Sequence, residues 1–310
     1  VDAFRHLEEA GILRRQVDGA VAHAAFFVDT REFYRALREM PPQRRALFRM
    51  MSARYTNTLD DEGTRRNDRT KARFVNSAMI ATLLGAITSD GLENGQVVSG
   101  VGGQFDFIHQ AMKLDDARAI LTLGATRRSK GRTTSNIRWS YAHTTIPRHC
   151  RDVVVTEYGA ADLRGRSDAD CIAAMLSIAD SRFQPELLDE AKSAGKMDRD
   201  YSIPREHTNN TPERLEEWLG PARDAGDLPV FPFGTDFTDT EQRLIPALEM
   251  LEDASHRPLA LIELVWRGLQ TPIDETARAC LDRMRLDQPT GAMERVTALG
   301  LRGALQRTAD

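Results

Sequence analysis

The densest run of chemistry-capable backbone in this 310-residue chain is SGVGGQFDF, residues 99–107. Gly100, Gly102 and Gly103 remove three side chains in four positions, so backbone N–H groups there can converge on an anion or a developing oxyanion. A helix through DFIHQAMKL, opened by Asp106 or a neighbour, adds its positive end to such a loop. The segment has neither the GxGxxG spacing of a dinucleotide loop nor a Walker lysine. Glycines at this spacing also build tight structural turns. Composition alone leaves both readings open.

A second concentration, residues 135–165, gathers Arg138, His143, Arg148, His149, Arg151 and Glu157. Glu157 sits at the C-terminal end of the apolar run DVVVTEY (152–158), where open α/β sheets place ligands. The alternative is an ion pair between Glu157 and an arginine such as Arg164, anchoring a turn. A His/Glu pair can act as acid and base, but the spacing of His143 and Glu157 does not force contact. Cys150 needs a base and a positive field to be a nucleophile, and the nearby arginines and His149 allow one. His23, in the apolar stretch AVAHAAFFV, reads as a satisfied core histidine, and Trp218 and Trp266 as core or interface residues.

The elements that must position these groups alternate. Thr30 or Asp29 caps a helix REFYRALREM that Pro41 and Pro42 stop, and a short helix through Ala46, Leu47 and Met50 follows. Residues 57–73 are polar and read as a surface loop, QVVSG as a short strand, AILTLG as another. DVVVTEY is a continuous apolar run, typical of a strand covered on both faces and central in its sheet. ADLRG then turns into a helix through Ile172, Met175, Leu176 and Ile178. Glycine turns, strands and amphipathic helices in alternation predict a layered α/β domain over residues 20–200. From about residue 210 the pattern is helical. TPERLEEWLG carries Thr211 as cap, Pro212 in the first turn and Gly220 as stop, and four further helices fit residues 239–252, 258–269, 272–286 and 289–307.

Composition bounds the function. Net charge is −4, which offers no electrostatic case for nucleic acid, and no apolar run approaches a membrane span. Residues 205–310 carry 19 acidic and 12 basic side chains, leaving residues 1–204 at +3. Three scattered cysteines fit a reducing compartment and lack metal-ligand spacing. Val1 opens directly on the amphipathic stretch VDAFRHLEEAGIL, which suggests a piece of a longer chain.

SGVGGQFDF and, about 50 residues on, TEYGAADLRG together resemble the C-terminal half of the acetyl-CoA hydrolase/CoA-transferase family, which includes 4-hydroxybutyrate and succinyl-CoA:acetate CoA-transferases. The resemblance covers roughly residues 1–200, with NSAMIATLLGAITSDGLENGQVVSG as the asparagine-containing lead-in to the loop. It implies a CoA-transferase-like mixed-sheet domain over residues 1–205, followed by an all-helical region over 206–310. It also implies two related α/β halves facing each other across the active site. Family members attack acyl-CoA with a glutamate, forming an anhydride and then a glutamyl-CoA thioester, which a carboxylate or water resolves. The CoA-side roles fall on Asn76, Gly100, Gly102, Gly103 and Gln104. Neither Glu8 nor Glu9 matches the glutamate motif. The nucleophile is therefore expected upstream of Val1, no catalytic residue is assigned within the chain, and the chain alone is expected to be inactive.

The partners implied are acyl-CoA, a small carboxylate acceptor, the preceding half-domain and a second copy in a homodimer, with no nucleic acid and no membrane. Coenzyme A enters as substrate, no cofactor is tightly bound, no metal is expected, and the setting is cytoplasmic. A noncatalytic CoA-binding or scaffold module of the same fold is the alternative.

Overall fold

The computed structural model describes residues 2–59, 62–129 and 131–308. Helix α1 (Asp2–Glu9) leads to a parallel strand pair, β1 (Ala22–Ala24) and β2 (Phe48–Met50), with α2 (Arg31–Glu39) and α3 (Pro42–Arg45) between them. Next come α4 (Ala53–Asn57), α5 (Glu62–Asp68), β3 (Arg73–Ser77), β4 (Ile80–Thr82) and β5 (Ile87–Thr88). Helix α6 (Gln104–Lys113) precedes β6 (Arg118–Thr122), β7 (Thr126–Ser129), β8 (Arg132–Ser135) and β9 (Ile137–Arg138). The hairpin β10 (Val153–Thr156) and β11 (Gly159–Asp162) follows, then α7 (Asp168–Ser177), α8 (Gln184–Ser193) and α9 (Pro212–Asp224). The chain ends in α10 (Asp239–Ser255), α11 (Pro258–Gln270), α12 (Glu275–Arg283) and α13 (Ala292–Arg307).

A mixed sheet in the order β11-β10-β6-β3 organises the α/β part. Strands β3, β6 and β10 are parallel, and β11 is antiparallel to β10. As the VVV run predicts, β10 is an interior strand: Val154 is buried, while Val153 and Val155 on the other face are only half-buried. The apolar alternation of β6 drives Ala119 and Leu121 into the same core as Ile108 of α6 and Ile172, Met175 and Leu176 of α7. A second sheet, β5-β4-β9, adds Ile80, Ala81, Ile87 and Ile137.

At the amino ends of these strands lies a buried carboxylate. Asp152, 1% exposed, accepts from Arg118 Nε at 2.7 Å, from the Ala119 amide at 2.6 Å and from Arg164. The expected Glu157–Arg164 pair is therefore replaced: Arg164 belongs to Asp152, which it reaches from just beyond β11.

Several expectations shift. Residues 57–73 are not all loop, because α5 forms there, with Arg65 stacked 3.7 Å over the Tyr55 ring. The helix predicted through Ala46, Leu47 and Met50 ends at Arg45, since Phe48–Met50 pair as a strand with Ala22–Ala24. QVVSG forms no strand of its own: Gly91 bridges Val97, and Val97 and Val98 face solvent. Helix α9 continues through Gly220 and Pro221. Trp218 and Trp266 are both exposed, outside any core.

Three of the helices after residue 210 open on side-chain caps, with Thr211, Thr238 and Asp274 accepting from their third helical amides. The compact units divide after Phe233: one holds Val1–Arg127 and Thr134–Phe233, the other Arg128–Thr133 and Gly234–Asp310. Helix α9 thus clusters with the α/β unit, although its sequence reads with the helical tail.

In the second unit α11 and α13 touch backbone to backbone. A Cβ on Gly268 would penetrate the Leu299 carbonyl, and one on Gly303 the Leu264 carbonyl. Gly268→Ala or Gly303→Ala must therefore prise the helices apart, at about 3 kcal/mol or more. Calorimetry should show a low-temperature transition for this unit, with the α/β transition unmoved.

A second expectation concerns pH. Asp180 is fully buried, and its carboxylate accepts from Arg182 Nε at 2.8 Å, Arg182 Nη2 at 2.7 Å and the Tyr158 hydroxyl at 3.2 Å. Burial acts to raise its pKa, but the Arg182 hydrogen bonds outweigh this and hold it below the usual carboxylate range. The stabilisation is complete above the unfolded value of ~3.9 and is lost as pH falls through the lower folded value. Asp180→Asn should flatten this acid limb in pH-dependent denaturation. An unchanged acid slope would remove Asp180 from that role.

Candidate functional site

Three parallel strands end side by side, and the residues of interest follow from those ends. Strand β3 carries Asn76 next to its last residue; the side chain is half-buried, and its Nδ2 is buried without a partner among the described residues. Ser77, which follows, accepts from Gln104 Nε2 at 2.7 Å. Gln104 itself is buried, and its Oε1 has no partner among the described residues. Two amides from the expected set therefore meet at one strand end, each with a polar atom left over. Buried polar atoms are normally satisfied, so each of these remainders calls for an explanation.

The glycines divide by function. Gly102 has φ +59°, the left-handed region, so it makes the turn. Gly103 has φ −87° and needs no such freedom, but a Cβ there would lie 2.5 Å from Asn57 Nδ2. Gly100 has open space around it. Gly103 caps α6 with no side-chain hydrogen bond, and α6 starts at Gln104 rather than at Asp106. The uncapped first turn directs its partial positive charge into the loop.

Asn57 carries no signal in the sequence, because it opens the polar stretch 57–73 that reads as loop, whereas it closes α4. Its Oδ1 accepts from Thr56 Oγ1 at 2.8 Å, and its carbonyl accepts from Gln110 of α6. Arg69 supports the segment by donating to the carbonyls of Thr58 at 2.8 Å and Tyr55 at 2.7 Å.

The neighbouring strand ends are closed differently. Glu157, just after β10, accepts the Ala125 amide at 2.8 Å and thereby ties the ends of β10 and β6. Asn136 donates from Nδ2 to the Gly124 carbonyl at 2.9 Å, while its Oδ1 is buried without a partner among the described residues. His143 does not meet Glu157. Its Nε2 lies 3.1 Å from Asp90 Oδ1, and its ring fills the space a Cβ on Gly91 would take, 2.6 Å away. Thr145 and then His143 hold Asp90 below the usual carboxylate range, and the Asp90 carbonyl accepts the Val98 amide at 2.8 Å. The histidine anchors the lead-in to the glycine loop.

Other candidates lose their chemistry. Burial pushes the Cys150 thiol up, away from the thiolate a nucleophile needs. His23 is not a satisfied core histidine: its Nε2 is buried without a partner among the described residues, and burial lowers its pKa. Among the described residues no group of three or more His, Cys, Asp or Glu side chains could hold a metal ion. No helix among them is long and apolar enough to cross a membrane.

The two adjacent glycines can be separated experimentally. Gly102→Ala should cost about 1–2 kcal/mol of backbone strain, which no neighbouring substitution relieves. Gly103→Ala should be most destabilising while Asn57 is present, because Phe107 Cε2 at 3.1 Å is the lesser obstacle, so Gly103→Ala with Asn57→Gly should recover part of the loss in a double-mutant cycle. Strict additivity of the two changes in urea titrations would refute the contact.

Comparison with known proteins converges on these segments. The model of the acetyl-CoA hydrolase/transferase C-terminal domain matches residues 30–191. The chain is 34% identical over 120 residues to the 4-hydroxybutyrate coenzyme A transferase of Clostridium kluyveri, covering 38% of this chain and 28% of that one. It is 29% identical over 203 residues to the butyryl-CoA:acetate CoA-transferase of Anaerostipes caccae, covering 63% and 43%. The crystal structure of RipA from Yersinia pestis shares the fold, with a TM-score of 0.52 and 24% identity over 62% of this chain and 42% of that one. The chain thus spans less than half the length of these relatives. The family model takes in β3, the glycine loop, α6 and the β10–β11 hairpin together, over more than half of the sequence, and the chain belongs to the acetyl-CoA hydrolase/transferase C-terminal domain family.

Proposed function

We propose that this chain supplies the CoA-binding half of an acyl-CoA transferase or hydrolase, with residues 1–205 forming the C-terminal α/β half of the enzyme. A preceding half-domain brings the nucleophilic glutamate. The substrates are CoA thioesters of small carboxylic acids, in keeping with the names of the relatives, and a free carboxylate or water completes the cycle. The observation that carries the reading is the pair of unsatisfied amide atoms, Asn76 Nδ2 and Gln104 Oε1, beside the uncapped start of α6. Asn76 Nδ2 is a donor suited to a thioester or amide carbonyl, and Gln104 Oε1 an acceptor for an amide N–H of the pantetheine arm. The loop amides around Gly102 and Gly103 stabilise oxyanion character as the thioester is attacked.

Glu157 has a supporting role in this scheme. Its carboxylate holds the Ala125 amide and so fixes the neighbouring strand end. Glu157→Gln keeps an acceptor at that position and should leave the covalent enzyme–CoA intermediate intact in the full-length enzyme.

Titration calorimetry of the chain with coenzyme A tests the binding half. Asn76→Ala and Gln104→Ala should each weaken binding about tenfold, or ~1.4 kcal/mol, with melting curves verifying the fold. Thiol-release and acceptor-exchange assays on the chain alone should show no turnover. Turnover abolished by a substitution within residues 1–310 would put the nucleophile in this chain. Unchanged affinity in both variants would move the CoA site elsewhere.

A further inference from the structure

The basic side chains Arg148, His149, Arg151, Arg164 and Arg166 take no part in the site above. The fold carries Glu157 to the carboxyl ends of the parallel strands. It carries Arg148, His149 and Arg151 to the opposite end, beside Asp152, which precedes β10, and Arg164, which follows β11. There they line a cavity of about 390 Å³ together with Arg164, Arg166 and Asp168. We propose that this cavity is an anion site for a compact ligand bearing two or more phosphate groups, separate from the glycine loop and independent of the function proposed above.

Charge and hydrogen-bond accounting carry the proposal. The one acid lining the cavity is Asp168, and it is already shared: Lys196 Nζ lies at 3.0 Å, Arg151 Nη1 at 3.4 Å and Arg148 Nη1 at 3.5 Å. Arg151 is also fixed in direction, donating to the carbonyls of Leu84 at 3.1 Å and Arg166 at 2.8 Å. The Arg166 guanidinium and the His149 ring have no partner among the described residues. Arg164 gives its terminal nitrogens to Ala117 and Asp152, but its Nε is buried with no acceptor among the described residues. With Arg164 matched by Asp152, the charges of Arg148, Arg151, Arg166 and Lys196 still outnumber that of Asp168 and leave an excess of positive charge in a concave surface, where fields focus. Guanidinium forks match the oxygen geometry of phosphate, and a single-charged ligand would neutralise too little of the excess.

The two sites lie at opposite ends of the same parallel strands, of which four-residue β10 alone spans about 13 Å. Inorganic pyrophosphate is the probe. Titration calorimetry on the 310-residue chain should show one-to-one binding that weakens steeply from 50 to 200 mM salt. Arg148→Gln with Arg166→Gln removes two exposed charges that hold no core contact. It should lower pyrophosphate affinity at least tenfold while leaving the ligand-free melting temperature level or higher. An excess of coenzyme A should leave the pyrophosphate isotherm unchanged. ADP and ATP binding more tightly than pyrophosphate would identify a nucleotide as the source of the phosphates, and equal affinities would identify the phosphates alone; either supports the site. Absence of binding, equal affinity in the double variant, or displacement by coenzyme A would overturn it.

Discussion

The Asp152 carboxylate is the interaction on which the arrangement of this protein depends. It is buried, and an unpaired carboxylate there would cost several kcal/mol. Its acceptor sites take Arg118 at the start of β6, the amide of Ala119 in the same strand, and Arg164 beyond β11. One side chain therefore aligns the beginnings of two parallel strands and the return of a third. Register is inherited along a strand, so pinning the amino ends also fixes where the carboxyl ends stop. Those ends carry Asn76, Ala125 and Glu157, and their relative heights are set from the far side of the sheet.

Helix α6 joins the two sides. It begins at the uncapped glycine loop and, ten residues later, its final turn approaches the arginine cavity through Met112. Its Gln104 holds β3 at one end, and its Gln110 holds the carbonyl of Asn57 nearer the other. The helix cannot slide by a turn without breaking both bonds. A rigid rod about 15 Å long thus gives the loop a fixed reference.

What could be read from the residues was whatever depends on neighbours in sequence. The VVV run places β10 inside a sheet, threonine caps place α2 and α9, and glycine spacing singles out the loop. What could not be read depends on partners far along the chain. The polar stretch NTLDDEGTRRND shows no apolar stripe, yet α5 forms in it, with Arg65 lying over Tyr55, a residue outside the stretch. Nothing near Glu157 announces that its partner is the amide of Ala125, 32 residues earlier. Arg164 has several acids near it in sequence, Asp152, Glu157, Asp162 and Asp168 among them, and the fold gives its side chain to the buried Asp152. Asn57 and Asn136 reach the site only through the tertiary fold, and an isolated asparagine carries no spacing signal. The family motif located the loop, but the physical division of labour between Gly102 and Gly103 needed coordinates.

The second compact unit is discontinuous, since it takes in Arg128–Thr133 as well as Gly234–Asp310. The main chain consequently passes between the units three times. During synthesis the segment 128–133 leaves the ribosome about a hundred residues before the helices with which it clusters. A two-stranded ribbon is marginal by itself in water, so β7 and β8 wait in an unfinished state until α10 to α13 emerge. The α/β unit is interrupted in the same place and must close around that wait. The order of translation makes the last helices of the chain the final condition for settling a loop in its middle.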